Sequence, residues 1–136
     1  MTTDATINQS PMKENVLRIF PLEYSVRIHV GSLVIAEVEH GLMLLESNYP
    51  PVTYVPRDEV NMELLTRSKH TTHCPHKGQA SYYSIATASG SLANAVWSYE
   101  NPMAQADAIA GYLAFDRSKV EIVEVLRSKS QRIDKC

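Results

Sequence analysis

From Tyr24 onward apolar and polar residues alternate, with Val26, Ile28 and Val30 separated by Arg27 and His29. A period of two places one face of a strand against a core and the other toward water. Gly31-Ser32 turns the chain, Leu33 to Val38 supplies a hairpin partner, Gly41 interrupts, and Leu42 to Glu46 forms a further short strand. Asn48-Tyr49-Pro50-Pro51 is a breaker because consecutive prolines remove donors and forbid helix, and Val52-Thr53-Tyr54-Val55 beyond it is strongly β-prone. Pro56-Arg57-Asp58-Glu59 reads as one helical turn, with proline at its first position and acids near the positive end of its dipole. Val60, Met62 and Leu64 then alternate with polar residues before a loop rich in His and Cys.

Ser81 to Ala88 and Leu92 to Tyr99 flank Ser89-Gly90-Ser91 and are rich in Tyr, Ile, Val and Trp, which predicts a hairpin. After Asn101-Pro102, the residues Met103, Ala106, Ile109, Ala110 and Leu113 recur three or four apart, predicting a helix over 102–112 with one buried face. Val120, Ile122, Val123, Val125 and Leu126 suggest a last strand, with a helix as the alternative. The expected fold class is mainly β (α+β), a compact antiparallel sheet closed by one helix in the C-terminal half. The short hairpins argue against alternating strands and helices, and no glycine-rich dinucleotide or P-loop fingerprint is present. The expected organisation is a flexible N-terminal arm over 1–15, a single β-rich domain over 16–127 and a polar tail over 128–136.

Composition narrows the partners more than it narrows the fold. A chain of 136 residues with 44% hydrophobic and 21% charged positions can bury a real core. A formal charge of −2 supplies no general field for a polyanion, so nucleic acid is not expected as a partner. The longest aliphatic runs, Leu33 to Ala36 and Leu42 to Leu45, are far short of the about 20 apolar residues that cross a bilayer. The first fifteen residues lack the basic start and apolar middle of a secretory signal, and two cysteines make no disulfide scaffold. A cytoplasmic location without membrane contact is the expectation, with homo-oligomerisation left open.

The densest chemistry lies in His70-Thr71-Thr72-His73-Cys74-Pro75-His76-Lys77-Gly78. His70, His73, Cys74 and His76 could ligate zinc, but Pro75 prevents a regular helix and adjacent His73 and Cys74 should diverge, so three partly exposed histidines are the plainer alternative. Cys74 could be a thiolate nucleophile stabilised by Lys77 and nearby histidines, or a wall residue without chemistry. Lys77-Gly78 could contact an anion through ammonium and close backbone approach, or form a solvated turn. Arg57 could be a second cationic clamp, although surface pairing with Glu59 or Glu63 is the expected fate. Tyr82 and Tyr83 must face opposite sides of a strand, so one packs while the other is free to line a cleft. Trp97 and Tyr99 share a face and could stack on a planar ligand or fill the core, and Asn94 could supply an amide there or cap a turn. No cofactor is required by these residues.

Several of these residues also form a wider pattern. Tyr54-x-Pro56 followed by Asp58 and Glu59, then Thr72-x-Cys74-Pro75-x-Lys77-Gly78-x-Ala80-x-Tyr82-Tyr83, Asn94-x-x-Trp97-x-Tyr99-x-x-Pro102 and Ile109-Ala110-Gly111-Tyr112-x-Ala114-Phe115 resemble the family called domain of unknown function 427 (DUF427) over about Val26 to Phe115. The resemblance implies a compact, mainly antiparallel β domain of tent-like outline, with no established function. The family also carries a nucleotidyltransferase label. Such transfer uses paired carboxylates to hold divalent metal ions, and neither Gly31-Ser32 nor Gly90-Ser91 is followed by such a pair; the resemblance implies that the family's usual acid corresponds to Glu59, or to Asp58 if the local order is exchanged. His76 stands where many members have an aromatic residue.

Three functional readings emerge. The leading one is a small polar or anionic ligand bound between the Thr72 to Gly78 loop and the adjacent hairpin, using Lys77, Gly78, Tyr82, Tyr83, Asn94, Trp97, Tyr99 and Thr72, with Cys74 as wall or reactive group. The others are a metal-dependent nucleotidyltransferase-like enzyme using Asp58 or Glu59, and a protein-interaction module with an exposed sheet edge.

Overall fold

The computed structural model describes residues 16–125, so the arm expected over 1–15 and the tail over 128–136 lie outside the described residues. Its strands are β1 (Leu17–Pro21), β2 (Ser25–Val30), β3 (Leu33–Val38), β4 (Leu42–Glu46), β5 (Val52–Tyr54), β6 (Leu65–Cys74), β7 (Gly78–Thr87), β8 (Gly90–Ser98), β9 (Ala114–Phe115) and β10 (Glu121–Val125). They are antiparallel neighbours in three sheets of order β9-β8-β7-β6, β10-β2-β3 and β1-β4-β5. The expected β class therefore holds, with the strands divided among three sheets.

The alternation of β2 explains its pairing. Val26 and Ile28 stand opposite Val38 and Ala36 and are buried with them, while outward Arg27 stands opposite Glu37 and pairs with it at 3.6 Å. β10 adds to the other edge of β2 with Ile122 opposite Ile28, so the strand alternative for this segment is the one realised. β1 has no counterpart among the sequence expectations, and it pairs along its whole length with β4.

Three differences from the expected pattern bear on function. The turn after Pro56 is a 3-10 helix over Arg57–Glu59 with Pro56 as its N-cap, and a second 3-10 turn covers Met62–Leu64, where alternation had suggested extended chain. The region expected to be a His/Cys loop is mostly β6, which pairs with β7 from Leu65 to Cys74 around a register shift between Arg67 and Thr71. Being a sheet edge exposed along much of its length, β6 carries polar residues on both faces and so shows no alternation. The helix expected over 102–112 is a 3-10 segment over Ala104–Ile109, non-helical at Ala106. Its ends are committed elsewhere: Met103 N–H donates to the Lys77 carbonyl at 3.0 Å, and Gly111 N–H donates to the Tyr99 carbonyl at 3.0 Å. Buried Ala106 and Ile109 keep the three-residue spacing that α and 3-10 geometries share.

Two apolar clusters hold the sheets together. The larger joins Val26, Ile28, Ile35 and Val38 to Tyr83, Ile85, Val96 and Leu113. The smaller joins Leu44 and Tyr54 to Ala80, Tyr99, Ile109 and Ala114. β7 and β8 belong to the four-stranded sheet that feeds both clusters, and the smaller cluster forms the base of the candidate site.

Candidate ligand-binding site

The Cys-Pro-His-Lys-Gly segment is the tight connection between β6 and β7. Cys74 stands opposite Gly78 in the ladder, and Lys77 N–H donates to the Cys74 carbonyl at 3.2 Å. Gly78 has φ of 109°, a conformation that L side chains rarely adopt. A Cβ there would stand 3.5 Å from Met103 N, an ordinary contact, so it is the backbone conformation rather than lack of space that calls for glycine. The Met103 bond to Lys77 and a 2.8 Å bond from Gln105 Nε2 to the His76 carbonyl clamp the turn from that side.

So held, Lys77 reaches across to β4, where its Nζ lies 2.6 Å from Glu46 Oε1. The side chains are only 12% and 6% exposed, and Lys77 Nζ also lies 5.9 Å from the Tyr99 ring centre. His76 Nδ1 stands 3.6 Å from the other Glu46 oxygen. This pair faces a cleft of about 510 Å3 whose walls include Leu44, Val52, Tyr54, Tyr82, Trp97 and Tyr99, with Tyr49, Pro50, His73 and Cys74 also lining it. The Tyr82 and Trp97 rings are 6.4 Å apart and tilted by 41°, and Trp97 Nε1 donates to the Tyr54 hydroxyl at 3.3 Å. Burial pushes the Tyr54 phenol up to about 12 and raises that of Tyr99 further, so both are neutral hydroxyls at neutral pH.

Of the residues singled out by sequence, Lys77, Cys74, Tyr82, Trp97, Tyr99, His73 and His76 meet at this cleft. Thr72 stands beside it, its Oγ1 3.1 Å from the Tyr82 hydroxyl, with the His70 ring packed edge-on against Tyr82 at 4.6 Å. Gly78 acts through its backbone. Tyr83 lies outside the cleft lining: its hydroxyl donates to Glu100 Oε2 at 2.7 Å and its ring belongs to the larger core. Asn94 is likewise elsewhere, at φ of 53° beside the register shift in the β7/β8 pairing, where its Oδ1 accepts from Ser68 Oγ at 2.6 Å. Asparagine tolerates that left-handed conformation better than most residues, which accounts for its presence there. Cys74 is a half-buried free thiol in the cleft wall.

The carboxylates named for catalysis do not join the cleft. Glu59 Oε1 accepts from the backbone N–H groups of Glu39 and His40, both at 3.0 Å, while Oε2 meets His40 Nδ1 at 2.5 Å. Asp58 is exposed on the same 3-10 turn. Among the described residues no three His, Cys, Asp or Glu side chains gather in a way that could hold a metal ion, so His70, His73, Cys74 and His76 do not converge as ligands.

Two features were not read from the sequence. Glu46 is the buried acid of the site; its signal was its place two residues after Leu44 in an apolar strand, hence on the same inward face. Arg57, for which pairing with Glu59 or Glu63 was expected, instead bonds the Gly111 carbonyl at 2.8 Å, the Tyr83 hydroxyl at 3.1 Å and Glu100 at 2.8 Å. Arg67 adds a 3.1 Å pair to the other Glu100 oxygen. Burial works to raise the Glu100 carboxyl, but the Tyr83 hydroxyl and the two guanidiniums outweigh it and hold it below its ordinary range.

No curated protein matches the chain. The family model described as "Domain of unknown function (DUF427)", labelled NTP_transf_9, matches residues 18–126, which span the described strands from β1 nearly whole to β10 and every residue lining the cleft. On that match, the chain belongs to the DUF427 family.

Proposed function

We propose that this domain binds a small ligand with a planar, largely apolar body and a polar end in the cleft between the β6/β7 turn and the strands β4, β5 and β8. The observation that carries the reading is the joint exposure of a buried Lys77–Glu46 pair and the rings of Tyr82, Trp97 and Tyr99 to one cleft of about 510 Å3. That size lies in the range of small-molecule sites, and apolar walls with a few fixed polar groups are their usual composition. The aromatic faces supply affinity for a flat ligand, and the ion pair supplies orientation.

The nucleotidyltransferase label finds no fit in these residues. Glu59 spends both oxygens on the 39–40 turn and its histidine, and among the described residues no three His, Cys, Asp or Glu side chains gather around Asp58 so as to hold a metal ion.

Trp97 is the one tryptophan in the chain, so its emission reports on the cleft directly. A library of small planar fragments should contain members that change that emission and raise the melting temperature. Replacing Tyr82 by Ala should weaken them about tenfold, since loss of one stacked ring is worth roughly 0.5–1.5 kcal/mol beyond its buried area. Val123→Ala, on the exposed face of β10, should leave binding unchanged. A library without a single binder to the folded protein, or binders indifferent to Tyr82, would refute the reading.

A further inference from the structure

Lys77 and Glu46 constrain the charge and shape of what the cleft accepts. Their ammonium and carboxylate are 2.6 Å apart and almost fully removed from water, with His76 Nδ1 3.6 Å from the other carboxylate oxygen, so the polar end of the cleft carries both signs and the Lys77–Glu46 pair itself sums to zero. An anion drawn to Lys77 meets the Glu46 carboxylate beside it, and a cation drawn to Glu46 meets the ammonium. Either would bring a third charge into a site where desolvation already weighs on the first two. A neutral dipole has no such conflict.

The hydrogen-bond inventory defines that dipole. Lys77 has three N–H donors and gives one to Glu46, while an ionised carboxylate has about four acceptor directions, of which Lys77 takes one and the His76 ring stands near another. Donor and acceptor thus sit side by side at the edge of the cleft. Their complement is a group with an adjacent acceptor and donor joined through one carbon, as in the C=O and N–H of a cyclic amide. The tilted Tyr82 and Trp97 rings leave their faces unstacked on each other, and Tyr54 and Tyr99 contribute neutral hydroxyls rather than phenolates. A flat ring suits these walls.

We infer that the ligand is a neutral, planar heteroaromatic lactam, its C=O facing Lys77 and its N–H facing Glu46, with its ring against Tyr82 and Trp97. This rests on the binding reading above and narrows it to one ligand class. It also implies that a phosphate group contributes little, since Lys77 is already neutralised.

Four bicyclic probes of similar size test this on the unmodified full chain, followed by the Trp97 emission: isoquinolone, N-methylisoquinolone, naphthoate and N-methylquinolinium. Isoquinolone, with its lactam edge, should bind at least tenfold more tightly than each of the other three, which lack the N–H or carry a charge. Glu46→Gln should reverse the order between isoquinolone and naphthoate by freeing the ammonium for an anion. If that variant does not fold, the four-probe order in the unmodified protein decides alone. Naphthoate or N-methylquinolinium binding as well as isoquinolone overturns the inference while leaving a ligand cleft in place. Silence from all four probes also overturns it, and the fragment library then judges the cleft separately.

Discussion

Lys77, in the β6/β7 turn, and Glu46, at the end of β4, are distant in sequence, and each makes the other's burial tolerable. Removing one partner of such a pair leaves an uncompensated charge in the interior, which costs about 3–5 kcal/mol, whereas replacing both by apolar groups is often neutral. Lys77→Met alone should therefore lower unfolding stability in urea by about that much, and Lys77→Met with Glu46→Leu should recover most of the loss. Equal losses in the single and double variants would show that the pair does not carry this burden. The Cys-Pro-x-Lys-Gly spacing made Lys77 legible as a site residue, but the residue facing it could not be read from a local window. Asn94 shows the converse: its side chain is polar and suited to a ligand, yet its role is set by a backbone at positive φ that only the strand register reveals.

At the scale of elements, the 3-10 turn Arg57–Glu59 fastens two distant parts of the chain. Glu59 holds the backbone between β3 and β4, and Arg57 holds Gly111 and Glu100. Burial works to raise the Glu59 carboxyl, but the His40 ring and the two backbone donors outweigh it and hold it below its ordinary 4.5. The hydrogen bond to Glu59 raises His40 above its ordinary 6.5. A lowered carboxyl stabilises the fold above its unfolded value and loses that contribution as pH falls through the folded one; a raised imidazole contributes below its unfolded value and loses it as pH rises through the folded one. The link is thus fully charged between about pH 4.5 and 6.5, the two unfolded values. Comparing melting temperatures of the unmodified chain and His40→Ala from pH 4 to 9 should show the largest deficit for the variant in that window and a shrinking one toward pH 9. Because His40 is largely exposed, the deficit should be small and should fade in high salt. A pH-independent deficit would remove the ion pair from the account. Pro56 and the acids after it announced a helical turn; its targets in the β3–β4 turn and at Gly111 were not local and left no trace in the pattern.

Over the whole molecule, β7 and β8 tie the two apolar clusters into one structure, because each contributes residues to both. Ile85, fully buried in the larger cluster, and Trp97, which packs against the smaller one, lie on the paired strands β7 and β8 but in different clusters. Ile85→Ala should cost about 2–5 kcal/mol through lost burial and the cavity left behind. If the clusters unfold together, the transition followed by Trp97 emission should move as far as that followed by far-ultraviolet circular dichroism. A Trp97 transition left in place would show that the clusters melt separately. The membership of β7 and β8 follows from their Tyr, Ile, Val and Trp content around Gly90, so this central hairpin was readable in advance. The three-sheet division was not, since the order of strands depends on pairings between distant segments.

Local pattern was enough to mark most of the extended segments, though not β1 or β6, and the residues that could do chemistry, because strand alternation, proline and glycine act within a few residues of their own position. It placed the Cys-Pro-x-Lys-Gly motif, the aromatic hairpin and the mainly β class. Tertiary packing alone settled that Lys77 is neutralised by Glu46, that Tyr82 rather than Tyr83 faces the cleft, that Glu59 fastens a turn and that the segment after Pro102 winds as a 3-10 rather than an α-helix. Each of those outcomes is a partnership across the sheets, and a partner's identity is settled by packing and register, to which a local pattern has no access.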